Sequence, residues 1–228
     1  MSTLPRALDR YPLGAKIEGA GAERWSATDR ERGRDVVVTR VAFGPERRAE
    51  RDAFVERVRA LFSVTSPALV AALDAGAWED DAFLVEEAVS EPQPLGAAEL
   101  DAREKALAAR ALAEGIAVLD AAGWSLPALD VVVDAYRQPR IAIANDVERA
   151  SVASRAAMLE RLQTVTAELV PDAPRASSAA ELARAIAVPA GGPSTPLVHA
   201  SPPARSPALW VVLALGVVVL IALAFMHR

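Results

Sequence analysis

The chain has 228 residues with 25 basic and 30 acidic side chains, for a formal net charge of −5 at neutral pH. Charges of both signs are interspersed, which argues against nucleic acid as the main partner. The absence of cysteine excludes disulfides and thiolate metal ligands, and the length leaves room for one medium domain beside its terminal segments. The opening residues MSTLPRALDRYPLG lack the apolar stretch of a signal peptide, so we expect the soluble part of the chain to stay in the cytoplasm.

After an N-terminal tail of residues 1–10, the chain predicts three short strands and a helix. Glycines and the charged turn DRERGRD separate the strands, and the run VVVTRV is rich in β-branched residues that favour a sheet. The strands are expected at residues 11–17, 24–27 and 35–43. In the helix, which is expected over residues 46–64, Phe54, Val58 and Leu61 recur at spacings of four and three, as on one buried face.

The middle of the chain predicts two more strands and a long helix. Residues 68–78 and 82–89 are apolar β-like runs joined by a turn. Asp101 opens the helix, Glu104 completes a capping box three positions later, and Gly123 ends the helix. Four large aliphatic residues are expected on its buried face: Leu107, Leu112, Ile116 and Leu119.

The last part of the predicted domain combines a hairpin with two helices. The hairpin joins residues 131–133 to residues 141–143 around the turn AYRQP. One helix is expected over residues 151–169, and a second over residues 178–188, where a serine and a glutamate three residues later form a capping box. The buried positions of the first of these helices are expected at Leu159, Leu162 and Leu169.

The C-terminal segment predicts a spacer and a membrane anchor. Residues 189–207 contain six prolines and two glycines, a composition that cannot build a core and suits a linker holding the domain off the membrane. Residues 208–226 follow as 19 uncharged residues, long enough for a helix of about 28 Å across the hydrocarbon core. Only two residues follow this span, so we expect a single-pass tail anchor whose partner is the lipid bilayer.

The order of these elements resembles the bacterial Ser/Thr protein kinase family over residues 11–145 and, more loosely, over residues 177–188. IEGAGAERWSATD resembles the glycine loop with the first two strands, and GRDVVVTRV resembles the third strand. AFVERVRALF resembles the αC helix, and AELDAREKALAARALAEGIAVLDAAGW is similar to the long helix before the catalytic loop. The resemblance implies an α+β fold: a truncated, bilobal kinase-like domain over residues 11–188, with a small β-rich N-lobe and a reduced helical C-lobe.

The nucleotide-binding positions that the resemblance identifies are degenerate. Of the glycine loop, whose backbone N–H groups cradle phosphates in the family, only Gly19 and Gly21 remain. The third-strand Lys that holds the α- and β-phosphates falls on Thr39, and the αC Glu that pairs with this Lys falls on Arg57. Arg40 follows Thr39 directly and is expected on the opposite face of the strand.

The catalytic positions of the family are replaced as well. The catalytic Asp falls on Ser125, and the metal-binding Asn falls on Asp130. The Asp of the D-F-G motif falls on Asn145, although a register slip of one residue would make Asp146 the metal ligand. A predicted helix begins at Ser151, where the family has its activation segment, so the platform for a peptide substrate is missing.

We therefore expect a membrane-anchored pseudokinase that acts as a binding, scaffold or regulatory module for an unidentified cytoplasmic signalling protein. It is expected to have no catalytic residue, no cofactor and no metal, because each part of phosphoryl transfer lacks its residue. One alternative is an atypical membrane-tethered Ser/Thr kinase-like phosphotransferase that uses Asp130 and Asp146. Another is a structural bilobal domain without a ligand. The sequence contains no G-x-S-x-G, Walker A or Rossmann motif of other enzyme classes.

Overall fold

The patterns of apolar and polar residues produce eleven strands and four α-helices within residues 6–17, 22–143 and 147–189, which the computed structural model describes. In chain order the strands are β1 (Leu13–Ile17), β2 (Glu23–Asp29), β3 (Arg34–Val41), β4 (Leu69–Val70), β5 (Ala72–Trp78), β6 (Asp81–Glu87), β7 (Gln93–Pro94), β8 (Trp124–Ser125), β9 (Val131–Val133), β10 (Pro139–Ala142) and β11 (Glu148–Arg149). The helices are α1 (Arg48–Ala60), α2 (Ala102–Ala121), α3 (Val152–Leu169) and α4 (Ala179–Ala185). The fold is mixed α+β.

The largest sheet is antiparallel, with the valine-rich β3 at its centre and the strand order β1-β2-β3-β6-β5. Successive side chains along each strand point to opposite faces of the sheet. One face, the outer face, carries Ala27, Val36, Val38, Phe83 and Val85. The other, the inner face, is the face on which α1 packs, and it carries Ser26, Val37, Thr39, Leu84 and Glu86.

The N-terminal segment closes the outer face. Residues Arg6–Arg10 form a 3-10 helix, and Leu8 and Tyr11 are buried against Trp78 of the sheet. Burial raises the pKa of Tyr11 to about 12. Part of the segment that the sequence assigns to a tail is therefore packed on the domain.

A buried ion pair holds this segment in place. Arg10 donates from Nε and Nη2 to the two carboxylate oxygens of Asp29, at 2.7 and 2.8 Å, and Asp29 is fully buried at the end of β2. The backbone N–H of Glu31 donates to the same carboxylate at 3.1 Å. The bonds from Arg10 and from this backbone outweigh the effect of burial and lower the pKa of Asp29 to about 2.

The predicted face of α1 is confirmed, but the helix is shorter than expected. Phe54 and Val58 are buried against the inner face, as is Leu61 just after the helix. The expected range of 46–64 shrinks because Pro45–Arg47 form a separate 3-10 turn and hydrogen-bonded turns follow the helix.

Three arginines fix α1 to the β5–β6 hairpin. Arg48 donates to the carboxylate of Asp80 at 3.0 Å. Arg51 and Arg59 donate to backbone carbonyl oxygens of the hairpin, at 2.7 and 3.3 Å. These contacts hold both ends of α1 against the edge of the sheet.

The ends of α2 are those that the sequence predicts. Asp101 accepts a hydrogen bond from the backbone of Glu104, and the Glu104 carboxylate accepts one from the backbone of Asp101, both at 2.8 Å. Gly123 has a φ of +81°, which a residue with a side chain rarely adopts, and it follows the last turn.

The predicted buried face of α2 is partly wrong. Leu112, Ile116 and Leu119 are fully buried, but Leu107 is 38% exposed. The buried stripe is instead completed by small residues that allow close packing: Ala106, Ala108, Ala109, Ala113 and Gly115. At Gly115 an added Cβ would lie 3.1 Å from that of Ala68, so a side chain here would fit only if Ala68 moved by a few tenths of an ångström.

The remaining strands form two small sheets. One has the order β4-β10-β9-β7, in which β4 and β10 are parallel, and β8 pairs with β11 in the other. The predicted hairpin is present, but its second strand spans Pro139–Ala142 rather than residues 141–143. The pairing of Val133 with Pro139 limits the turn to the residues between them.

Two helices complete the described C-terminal half. Ser151 caps α3, in which Met158 and Leu162 are buried while Leu159 is only half-buried, contrary to prediction. Ser178 caps α4, which ends at Ala185 because the following backbone is extended.

No helix among the described residues is long and apolar enough to cross a bilayer. The predicted span at residues 208–226 and all of the predicted linker except residue 189 lie outside the described part of the chain.

Candidate functional site

The strand register places the predicted nucleotide-site position Thr39 on the inner face, at the centre of the large sheet. Its neighbours on the adjoining strands are Arg24 of β2 and Leu84 of β6. Thr39 is fully buried, and its hydroxyl has no hydrogen-bond partner among the described residues. A threonine here supplies a neutral hydroxyl where the kinase family that the sequence resembles has an ammonium group.

Arg40 lies on the outer face, as the strand period predicts. Its guanidinium is 5.1 Å from the ring centre of Trp78 and donates from Nε to Asp81 at 2.8 Å. Burial opposes ionisation of Asp81, but the backbone N–H groups of Phe43 and Gly44 together with Arg40 hold its pKa below the usual value. Arg40 is therefore committed to a structural ion pair on the side away from Thr39.

Arg57 occupies the predicted αC position with a cation instead of a carboxylate. Its guanidinium lies 5.5 Å from the ring centre of Phe54, and its Nε is buried with no hydrogen-bond partner in the part of the chain that the structure describes. Neither Thr39 nor Arg57 can form the lysine–glutamate ion pair that the kinase family requires.

Glu86 is a buried carboxyl group that the sequence reading missed. It is 4% exposed, and its backbone pairs with Val37 on β3 and with Ala72 on β5. The run AFLVEEAV does indicate the position of Glu86. Leu84 and Glu86 are two residues apart, so their side chains share a face of the strand. An acidic group thus occupies the inner face next to Thr39.

Ser125 is buried beneath the first turn of α3. It is completely inaccessible, donates from its hydroxyl to that of Ser154 at 2.9 Å, and lies 3.4 Å from a carboxylate oxygen of Glu148. The cap of α3 fixes Ser154, because the Ser154 hydroxyl accepts from the backbone of Ser151 at 2.9 Å. A substrate hydroxyl cannot reach Ser125 in this arrangement.

Of the other predicted site residues, Asp130 alone lies within the described ranges. Asp130 is exposed in the loop before β9, and Gly19, Gly21, Asn145 and Asp146 lie outside the described residues. Across the described ranges, no group of three or more His, Cys, Asp or Glu side chains has the geometry to hold a metal ion.

Comparison of the chain with protein-family models gives no match, and a search of curated proteins finds no similar sequence.

Proposed function

We propose that this chain is a tail-anchored pseudokinase that serves as a binding or scaffold module in signalling and does not transfer phosphate. The order of its elements supports a kinase-like fold. Three antiparallel strands precede a helix that packs on the same sheet, two further strands complete that sheet, and a long capped helix leads to a pair of short strands. This is the order that the resemblance implies for the family.

The observation that carries the proposal is the burial of Ser125. A catalytic loop must present a carboxylate to the hydroxyl group of its substrate. Here the corresponding side chain is a neutral hydroxyl, fully buried and hydrogen-bonded to Ser154 of α3. The helix that begins at Val152 occupies the sequence position of the activation segment, so the same element covers Ser125 and takes the place of the substrate platform.

The residues around Thr39 also argue against phosphoryl transfer. Phosphoryl transfer depends on charge neutralisation by preorganised groups. Thr39 has no charge, Arg40 is paired with Asp81 on the other face, and Glu86 places a buried carboxyl group on the inner face. For the alternative, a phosphotransferase based on Asp130 and Asp146, the exposed loop position of Asp130 offers no specific support.

Thermal unfolding of the purified full chain with millimolar Mg·ATP tests this proposal. A ligand that binds only the folded state raises the melting temperature according to its concentration relative to Kd. We expect essentially the same melting temperature with Mg·ATP as with Mg²⁺ alone. A rise of several degrees that is lost in Asp146→Ala would overturn the proposal in favour of the phosphotransferase.

A further inference from the structure

We propose that two copies of this chain pair through helix α2, with the two helices antiparallel and related by a two-fold axis. Helices α3 and α4 and strand β10 cover most of α2. The side that they leave uncovered carries a seam formed by Leu107, Ala111, Glu114 and Val118, with Arg110 beside it. The seam residues recur at spacings of four, three and four, as where one helix meets another in a coiled coil.

The two ends of the seam are apolar and open to solvent. Leu107 is 38% exposed and Val118 is 39% exposed. Among the large hydrophobic side chains that are exposed in the described ranges, these are the only two that share a helix. Ala111 lies between them, and its small side chain allows a second helix to approach closely. Contact with a second helix would remove both apolar ends from water, which favours association.

An antiparallel pair centred between Leu112 and Ala113 makes the seam complementary to itself. Leu107 of one copy then lies level with Val118 of the second copy, because the two residues are equally distant from that centre. A two-fold interface requires this relation, in which each residue meets its counterpart in both directions. A parallel pair would instead place Glu114 against Glu114, which is unfavourable because the charges are alike.

The same register brings opposite charges together at the centre of the seam. Within one copy, Arg110 donates from Nε to a carboxylate oxygen of Glu114 at 2.9 Å, and both side chains are about half exposed. In the antiparallel pair, Arg110 lies within about 1.5 Å, along the helix axis, of the level of Glu114 of the second copy. The bond within one copy uses one donor and one carboxylate oxygen, so the other groups can bond across the interface.

The expected interface is small, so we expect a reversible dimer. A contact along one helix pair lies at the low end of the size range of specific interfaces, near or below about 1,200 Å². The anchor predicted at residues 208–226 would confine both copies to one membrane and so raise their effective concentration. The inference does not rest on the proposed function, because an active enzyme could pair through α2 equally well.

Charge reversal at the centre of the seam tests the pairing by sedimentation equilibrium of the full chain in detergent. We expect a monomer–dimer equilibrium for the unaltered chain. Arg110→Glu and Glu114→Arg each place like charges across the interface and should each weaken dimerisation about tenfold or more. An equimolar mixture of these two variants should associate again, because one seam is then acidic and the other basic. Arg161→Glu, at an exposed position of α3, is the matched control and should dimerise normally.

Disulfide cross-linking in the same detergent tests the direction of the helices. The chain has no cysteine, so a covalent dimer can form only through introduced ones. A mixture of Leu107→Cys and Val118→Cys should give covalent dimers under mild oxidation. Neither variant alone should do so, because antiparallel pairing separates each of these positions from its own counterpart by about 16 Å along the axis.

Four results would overturn the inference. They are a monomeric unaltered chain, unchanged dimerisation of the two charge-reversal variants, no association in their mixture, and cross-linking of Leu107→Cys alone, which indicates a parallel pair. Association in the mixture also shows that both variants are folded, since a misfolded variant would not regain dimerisation from the opposite charge. None of these results bears on phosphotransfer, so this inference and the proposed function can fail separately.

Discussion

At the scale of single residues, Asp29 connects segments that are distant in the chain. Its carboxylate accepts two hydrogen bonds from Arg10 and one each from the backbones of Glu31 and Arg32, and Arg34 lies 3.6 Å away. These bonds fix the N-terminal segment and the β2–β3 turn to the same point. Removing the carboxylate would leave a partly buried guanidinium without its partner, which is the costly way to break an ion pair.

We predict that the domain loses stability at acidic pH because Asp29 becomes protonated. Its folded pKa of about 2 lies below the ordinary value near 4, so the ionised group stabilises the fold above about pH 4. That contribution disappears as the pH falls from about 4 to 2. Asp29→Asn should lose roughly 2 kcal/mol at pH 7 and show a flatter pH dependence in urea unfolding.

Glu31→Gln provides the control for this prediction. Glu31 also pairs with Arg10, at 2.6 Å, but its side chain is 67% exposed. Exposed pairs contribute little to stability, so this variant should unfold almost as the unaltered chain does. Equal stability of Asp29→Asn and the unaltered chain at pH 7 would contradict the assignment.

The sequence correctly predicts the face on which a side chain lies when that face depends on the pattern of one strand alone. The two-residue period of β3 correctly places Thr39 and Arg40 on opposite faces. The proximity of Arg24 to Thr39 could not be predicted in this way, because it depends on the register between β2 and β3. Glu86 was missed because a carboxyl group in an apolar strand is expected at the surface.

At the scale of elements, the ends of α2 were more predictable than its buried face, whereas for α1 the face was predicted correctly and the ends were not. The capping box of α2 was correct because it depends only on Asp101 and Glu104, three residues apart. The buried face of the same helix depends on which helices pack against it. Leu107 is exposed because the small residues of α2 form a different contact stripe.

We predict that Glu104 stabilises the domain beyond its role in the cap. Its carboxylate also accepts from Arg137 in the β9–β10 turn, at 2.8 and 3.0 Å. Asp101→Ala should cost about 1 kcal/mol through the cap alone, and Glu104→Ala should cost more in urea unfolding. Glu114→Ala, which removes only the exposed pair with Arg110, should cost about 0.3–0.5 kcal/mol. Equal losses for Glu104→Ala and Glu114→Ala would refute this role.

At the scale of the whole molecule, the order of strands and helices could be predicted more fully than the site. Local sequence patterns of apolar residues, helix caps and turn residues identified each of the four described helices and the strands of the large sheet. The proposed lack of phosphotransfer depends on tertiary contacts as well, above all the packing of Ser154 over Ser125. No pattern within β8 or α3 alone indicates that contact.

The predicted anchor gives a test of topology. Because residues 208–226 are uncharged and long enough to span a bilayer, the full chain should remain with membranes through alkaline carbonate extraction. Protease added on the cytoplasmic side should release the domain, and a chain ending at residue 189 should be recovered without membranes. Recovery of the full chain in the soluble fraction would contradict the anchor.

The most direct test of the account is the transfer of labelled γ-phosphate from Mg·ATP by the purified full chain, to itself and to a general protein substrate. Asp130→Asn and Asp146→Asn are assayed beside it. The account predicts incorporation no higher than that of heat-denatured protein for all three chains, because Ser125 is buried and Thr39 carries no charge. Incorporation by the unaltered chain that Asp146→Asn abolishes would contradict it.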